Sequence, residues 1–342
     1  MKGKEAIGLL FVTLLAVVVA VFAALGGGGP AADPLAGKPV LPEVAKRLAD
    51  VGRLALVHGD QKTTLLRRGD GWVIEEKGFY AADAVKIRQA LLGLAELTYV
   101  EPKTQKPDFY PRLEVEDAGS KDSKSTLVTL ADEKGSLLGE VITGKHRADQ
   151  LGGGEDGIYV RKPGNARSWL ARGKLDLAGD TTQWLDAKLI DLPVAQVKEA
   201  DFTAPDVKKL TISRDKAQDK FKLAELPKDK KLKSDSALED PAGALANTEL
   251  SDVQPAKDFA FPSDGVSRAK FSSFSGLTVT VDLAAKDGKS WVRLQASGTG
   301  DAEKQAAELD AKLTPWVFAL AEYKLKALRT RLDDLLETPK PS

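Results

Sequence analysis

The sequence predicts an α+β protein in which an N-terminal transmembrane helix precedes two tandem related units of antiparallel sheet plus helix, followed by C-terminal helices. Three observations predict this class. A long uncharged apolar run opens the chain, short β-forming runs alternate with a helical pattern, and one short phrase occurs twice. At 342 residues the chain exceeds what one core usually fills, so we expect two domains.

Composition bears on several function classes. Lys plus Arg number 50 and Asp plus Glu number 50, so no overall field attracts nucleic acid. The absence of cysteine rules out disulfides, thiolate nucleophiles and zinc–thiolate sites. The two histidines, His58 and His146, lie neither in a metal-ligand spacing nor beside a nucleophile motif. We therefore predict no catalytic, metal or cofactor-binding site, no cofactor, and no nucleic-acid partner.

The first element is an apolar run that follows Lys2 and Lys4. Its length matches the roughly 20 residues of a membrane-spanning helix, and flanking lysines favour the cytoplasmic side. We expect residues 1–5 to be a cytoplasmic stub and residues 6–26 a single-pass anchor in the inner (cytoplasmic) membrane, with the rest of the chain in the periplasm. Small residues after the run leave a cleaved signal sequence as the alternative.

The remaining chain divides into a linker, two domains and a tail. Residues 27–50 contain the glycine- and proline-rich stretch GGGGPAADPLAGKP, which predicts a flexible linker. We expect a first α+β repeat domain over residues 51–196 and a second over 197–300. Residues 301–342 are expected to form a C-terminal helical segment.

The first domain should open with an antiparallel meander from Arg53 to Glu76, because β-forming runs alternate with Gly and Asp turn signals. A helix capped by Asp83 should follow. STLVTLADEKGSLLGEVITGK predicts a hairpin, and GIYVRK and RSWLAR predict further strands. The apolar stripe of the helix consists of Ala84, Ile87, Leu91, Leu94 and Ala95.

The second domain repeats this order in shorter form. KKLTISRD and DKFKLAEL predict strands, SALEDPAGALANTEL predicts a helix, and AKFSSFSGLTVTVDLAAKDGKSWVRLQAS predicts the later sheet. The phrase AELTYVEP, residues 95–102, returns as TELSDVQP, residues 248–255. We interpret its leucines as closing the helix stripe, its valines as beginning burial on the sheet, and its prolines as stopping the helix. The recurring residues are Glu96, Leu97, Val100, Pro102, Glu249, Leu250, Val253 and Pro255.

After Asp301 the pattern predicts two helical segments separated at Thr314-Pro315, with Thr as the cap and Pro in the first turn of the second. Leucines in the second segment recur at three and four residues, as in a coiled coil. Such a stripe docks on its own domain or forms a partner face, and both interpretations stay open. The leucines are Leu325, Leu328, Leu332 and Leu335.

Two other groups of polar residues bear on catalysis or binding. One is a glycine-rich loop that lacks P-loop spacing, so it predicts a hairpin end and a mobile loop where a polar site could still collect. Its charged residues are Lys145, His146, Arg147, Asp149, Glu155 and Asp156. The other group is the carboxylates, which we interpret as solvated surface charge because nothing local holds two of them in a cleft. They include Glu75, Glu76, Glu114, Glu116, Asp117, Asp333 and Asp334.

The chain resembles the bacterial family known as domain of unknown function 4340, from about residue 50 to residue 336. The motifs that carry the resemblance are GWVIEEKGFYAADAVKIRQALLGLAEL, YPRLEVED, GIYVR, SWLARG, QWLDAKLIDL, AKFSSFSGLTVTV and TPWVFALAEYKLKAL. Members are membrane-anchored, and some are found with an ABC transporter of the gliding-motility-associated type. The resemblance therefore implies an accessory envelope role, with an ABC transporter permease or other envelope proteins as partners, and it supplies no catalytic residues.

Two function classes follow. The first is a non-enzymatic, membrane-anchored accessory or scaffold protein of a transport complex. The second is an exported glycan- or lipid-binding module, or a carboxylate-dependent hydrolase of the envelope. The second class requires carboxylates from the two units to meet in a cleft, which sequence spacing does not decide.

Overall fold

The computed structural model describes residues 33–147, 156–205 and 207–337. Within them the architecture is α+β, with two nine-stranded antiparallel sheets and few helices. The expected anchor, residues 6–26, lies outside the described residues. Among the residues described, no helix has the length and apolarity that crossing a membrane requires.

The first sheet begins with the meander expected from the sequence. The hairpin expected from STLVTLADEKGSLLGEVITGK also forms, with its turn at Glu133-Lys134-Gly135. The strands of the first sheet are β1 (Val51–His58), β2 (Gln61–Arg68), β3 (Gly71–Ile74), β4 (Tyr80–Ala81), β5 (Thr98–Pro102), β6 (Thr126–Asp132), β7 (Leu137–Arg147), β8 (Gly157–Arg161) and β9 (Ser168–Arg172). Their order is β4-β3-β2-β1-β6-β7-β8-β9-β5. β1 therefore lies next to β6, and β5 closes the far edge.

The second sheet contains β10 (Lys188–Ile190), β11 (Val197–Ala204), β12 (Val207–Ser213), β13 (Lys222–Leu223), β14 (Thr248–Pro255), β15 (Ser267–Ser273), β16 (Leu277–Lys286), β17 (Lys289–Gly298) and β18 (Trp316–Leu320). Their order is β10-β14-β18-β17-β16-β15-β11-β12-β13. The short β13 pairs with β12 only at Ile212 and Ser213. The preceding part of β12 therefore has an uncovered edge.

The two sheets follow one chain path. Three strands form a meander, the next strand goes to the far edge, and four strands run back to join it. The order β3-β2-β1-β6-β7-β8-β9-β5 in the first sheet corresponds to β13-β12-β11-β15-β16-β17-β18-β14 in the second. β4 and β10 are additions at the edges where the sheets meet.

The helices are α1 (Pro42–Lys46), α2 (Ala84–Glu96), α3 (Tyr110–Leu113), α4 (Glu239–Ala242), α5 (Glu303–Leu313) and α6 (Glu322–Leu328). The Asp83 carboxylate accepts hydrogen bonds from the Val85 and Lys86 N–H groups, so it caps α2 as expected. The buried face of α2 differs from the expected apolar stripe at two positions. Ala84, which was expected in the stripe, is exposed, and Ala90, which was not, is buried with the large apolar residues.

Residues 33–50 belong to the fold, which corrects the expected linker over 27–50. Pro42 begins α1, and Val40, Leu41 and Val44 are each at most 1% exposed. The Val40 N–H donates to the Leu97 carbonyl at 2.8 Å, so this segment covers the edge of β5. The glycine- and proline-rich composition predicted a flexible linker, but burial of Val40, Leu41 and Val44 holds this segment on the fold.

The C-terminal segment differs from the expectation in a similar way. Thr314-Pro315 does not begin a second helix, because Trp316–Leu320 forms β18, which pairs with β14 and β17. Residues 301–337 are therefore part of the second sheet and its cover. In the same unit the expected helix contracts to α4, and TELSDVQP is strand throughout.

One continuous apolar core joins the two sheets, including residues of α1, α2, α5 and α6. Smaller apolar clusters lie under covering segments. One contains Tyr110, Val115 and Ile142, and the other contains Phe259 and Trp291. In each case a strand arginine stacks on an aromatic ring of the covering segment, Arg161 on Tyr110 and Arg293 on Phe261.

Backbone hydrogen bonds join the sheets through the connecting chain. Ala82 pairs with Leu185 in an isolated bridge, and the Asp83 N–H donates to the Trp184 carbonyl at 2.8 Å. β10 follows directly and pairs with β14. The connector thus completes the β4 edge of one sheet and the β14 edge of the other.

Side chains reinforce this junction. The Tyr80 and Trp316 rings meet edge to face, with centroids 5.0 Å apart. Asp252 accepts hydrogen bonds from Lys77 at 2.6 Å and from Lys289 at 2.8 Å. Burial alone would raise the pKa of the Asp252 carboxyl, but the Lys289 and Lys77 hydrogen bonds outweigh it, so the pKa lies below its ordinary value.

Replacing Gly78 tests the junction. Gly78 has a positive φ, and a Cβ there would collide with the Pro255 ring of the second sheet. Gly69 also has a positive φ but no atom near its Cβ position, so Gly69→Ala is the matched control. We expect Gly69→Ala to cost about 1 kcal/mol from backbone strain, and Gly78→Ala to cost about 1–3 kcal/mol more because of the collision. Urea unfolding measures both, and equal losses would contradict the contact.

Replacing Asp252 tests the ion pairs. Because the folded-state pKa is lowered, the stabilisation is present above the ordinary Asp value of about 3.9 and disappears as the pH falls through the lowered value. We expect Asp252→Asn to lose about 1–2 kcal/mol at neutral pH and progressively less toward pH about 3.

The control is Asp264→Asn, because Asp264 forms no ion pair in the described part of the chain. Urea unfolding from neutral to acidic pH should show a gap between wild type and Asp252→Asn that narrows on acidification. A gap independent of pH would contradict the assignment.

Candidate functional site

The recurring phrase lies on β5 and β14, where its residues have structural partners. Leu97, Leu250 and Val253 are buried, but Val100 is 37% exposed, so the expectation that both valines begin burial is wrong for Val100. The register of β5 shifts between Tyr99 and Glu101, which places Tyr99 in the core instead.

The two prolines of the phrase occupy corresponding places. Pro102 pairs with Trp169 on β9, and Pro255 pairs with Trp316 on β18. Glu96 is at the end of α2 and Glu249 is in β14, both exposed. Pro255 ends a strand rather than stopping a helix, because the phrase in the second unit is wholly extended.

The C-terminal leucines lie inside the protein. Leu325, Leu328 and Leu335 are at most 3% exposed, and Leu332 packs partly buried against the same core. They therefore fit docking on their own domain, not a partner face. α6 also contributes Lys324, whose ammonium donates to the carbonyls of Ala244 and Ala246 after α4. Burial lowers the pKa of Lys324.

The polar loop and the histidines do not assemble into one described site. Lys145, His146 and Arg147 are exposed at the end of β7, and Asp149 and Glu155 lie outside the described residues. The other histidine, His58, is the last residue of β1 and pairs with Thr126 on β6, with Nδ1 3.0 Å from Thr126 Oγ1.

Four of the seven carboxylates have local hydrogen-bond partners. Glu76 accepts from the Thr64 N–H, Glu116 from the Lys124 N–H and Asp334 from the Arg331 N–H, while Asp117 pairs with Arg161. Glu75 lies 4.0 Å from Arg53. The described part of the chain contains no group of three or more His, Cys, Asp or Glu side chains arranged to hold a metal ion.

The outer side of α2 exposes two large apolar side chains. Val85 is 63% exposed and Leu92 is 43% exposed, seven residues apart on the same side of the helix. Two clefts flank the helix, with volumes of about 700 and 640 Å³. Leu92 lines both clefts, so it forms the ridge between them.

The larger cleft lies between α2 and the strap, which we define as residues 174–180; we call it the strap cleft. Lys86, Glu96, Lys174 and Asp176 line it, so its charges balance. Leu92 is the exposed apolar residue of its wall, whereas Trp184 borders the cleft but is only 1% exposed. A space of this size, apolar in part with a few polar groups, suits a small ligand or a short peptide segment.

Close backbone contact fixes the strap against α2. A Cβ at Gly93 would lie 2.7 Å from the Lys174 carbonyl oxygen, and Leu175 is 2% exposed. The Trp184 indole N–H donates to the Ala178 carbonyl at 3.1 Å, and the Lys86 ammonium donates to the Gln183 carbonyl at 2.8 Å. Both walls of the cleft are therefore held in place.

The smaller cleft is more basic. Arg67 and Arg88 line it opposite Asp70. The Arg67 guanidinium lies over the Trp72 ring at 5.4 Å from its centroid and donates to the Ala49 carbonyl.

Sequence reasoning missed both clefts. The available signal was Val85 and Leu92, two apolar residues off the buried stripe of α2. The sequence pattern of the strap did not predict its position, because the strap has no regular secondary structure. Its place beside α2 depends on the pairing of β9 with β5.

These features define an α+β protein of two large antiparallel sheets with an open helical face suited to binding. The chain belongs to the family described as Domain of unknown function (DUF4340), whose sequence model matches residues 72–264, more than half of the chain. The match runs from β3 to beyond β14 and so includes parts of both sheets. No curated protein and no solved structure gave a match.

Proposed function

We propose that this protein is a non-enzymatic, membrane-anchored periplasmic accessory or scaffold protein that works with a gliding-motility-type ABC transport system. The observation that carries the proposal is the open face of α2, where an apolar ridge separates two clefts on a firmly joined frame. Exposed apolar groups rimmed by polar residues are typical of interaction sites. The transporter association is supported by the family resemblance.

Residues 6–26 anchor the protein in this proposal, with residues 1–5 in the cytoplasm. Support comes from Lys2, Lys4 and the uncharged run that follows them. The described fold begins at Asp33, and six residues, 27–32, separate it from the proposed anchor. Such a segment reaches about 20 Å when fully extended, so the first sheet would stay close to the bilayer.

The two units are related by internal duplication in this proposal. Their common strand order and the matching Pro–Trp pairs support it. A second likeness lies before the first long strand of each unit. Pro39 bridges to Thr98 on β5, and β10 pairs with β14, and each segment leads into a Leu-Pro pair. The units therefore begin earlier than positions 51 and 197.

Anchoring should matter more than any single polar side chain, because it raises the effective concentration of the protein at a membrane partner. We expect residues 33–342, released as a soluble periplasmic protein, to fold but to fail in complementing a deletion strain. Fusion of the same residues to an unrelated single-span anchor should restore function. Alanine at His58, His146 or Glu116 should be nearly silent.

Complementation and a folding assay on the released protein measure this prediction together. Full complementation by the soluble form at normal expression would contradict the anchored role. Loss of function from one of the three alanine changes in a stable protein would instead favour the exported hydrolase or glycan- or lipid-binding module.

A further inference from the structure

The strap carries backbone N–H groups that have no acceptor among the described residues. From Lys174 to Gly179, no backbone N–H donates to an acceptor within the described part of the chain. Leu175 is buried while Lys174 and Asp176 are exposed, the alternation expected of extended chain. An extended segment with free N–H groups beside a cleft can pair with another strand.

The second unit fills the corresponding position with its own chain. After β9 the strap leads to a 3-10 turn at Thr181–Trp184 and then to the bridge at Leu185. After β18, α6 leads to a 3-10 turn at Leu332–Leu335 and then to a bridge at Leu336. The strap and α6 therefore occupy the same place in the chain path.

The two segments differ in how their backbone is satisfied. α6 forms its own helical hydrogen bonds, buries Leu325 and Leu328, and packs against α4. The strap forms none of these backbone bonds and leaves a cleft of about 700 Å³ beside α2. The first unit therefore has a cleft at the position that α6 fills in the second unit.

We propose that the strap cleft binds an extended segment of a partner polypeptide. The segment pairs with the backbone of the strap and places an apolar side chain against Leu92, which is 43% exposed. The four charged side chains of the cleft, Lys86, Lys174, Glu96 and Asp176, balance, which favours a segment with little net charge. This deepens the proposed scaffold function by naming the chemistry of its partner.

The test uses a displayed library of random peptides, selected on the full chain and counter-selected on the Leu92→Asp variant. Enriched peptides are synthesised, and calorimetry measures their affinity. We expect Leu92→Asp to weaken binding about tenfold or more, since it puts a charge on the apolar wall. Val85→Asp is the matched control, because Val85 lies on the same helix but lines neither of the two clefts.

A backbone variant separates strand pairing from side-chain binding. Asp176→Pro removes an N–H that has no acceptor in the described residues, so it should weaken peptide binding about tenfold with little change in unfolding free energy. Asp176→Ala keeps the N–H and should bind almost normally. Hydrogen exchange should show slower exchange of the amides of residues 174–179 when the peptide binds.

Three outcomes would overturn the proposal. The library enriches no peptide on the full chain over the Leu92→Asp variant, or the peptides bind Leu92→Asp or Asp176→Pro as tightly as they bind the wild type, or the strap amides exchange at the same rate with and without peptide. If the cleft binds small molecules and no peptide, the library will enrich nothing, which is the first of these outcomes. The result is independent of the anchor test, since peptide binding is measured on purified protein and complementation depends on tethering.

Discussion

Pairing of exposed sheet edges is the constraint on which this structure depends. A strand at the edge of a sheet carries unpaired N–H and carbonyl groups, and the chain covers most of them with its own connecting segments. Residues before β1 cover β5, the connector covers β4, and β10 covers β14. Because one connector covers edges of both sheets, it also sets how the sheets meet, and the Tyr80–Trp316 contact and the Asp252 ion pairs lie where that meeting places them.

The same constraint produces the candidate site. The connector must cross the end of α2 before it reaches the β4 edge, and in crossing it becomes the strap. Gly93 lets the strap approach the helix, and Trp184 fixes its far end. The cleft is what remains between a long helix and an extended crossing segment. In the second unit a short helix and a helical crossing segment pack together instead.

The sequence correctly predicted the elements that form through interactions between residues close together in the chain. The meander, the β6–β7 hairpin and α2 with its Asp83 cap follow from turn residues, periodicity and capping. The wrong predictions concern segments whose structure is set by pairing with strands distant in the sequence. Thr314-Pro315 looks like a helix start, yet Trp316 and its neighbours pair with β14. Val100 is exposed because of a register shift that only the partner strand creates. The exposure of Val85 and Leu92 could be predicted from the helical pattern of α2. The position of the strap beside them could not, because it depends on the pairing of β9 with β5.

On its outer side, β12 has no partner strand from Val207 to Leu210 in the described part of the chain, because the short β13 pairs with β12 only beyond this stretch. Lys208 and Lys209 are exposed on this stretch. Lys208 is ion-paired with Glu225, and Lys209 with Asp201 at 3.0 Å. Charged side chains on an edge strand oppose pairing with another molecule, because pairing would take them out of water. This edge would thereby resist pairing with copies of the same chain at high concentration, while the strap has backbone N–H groups without an acceptor in the described residues.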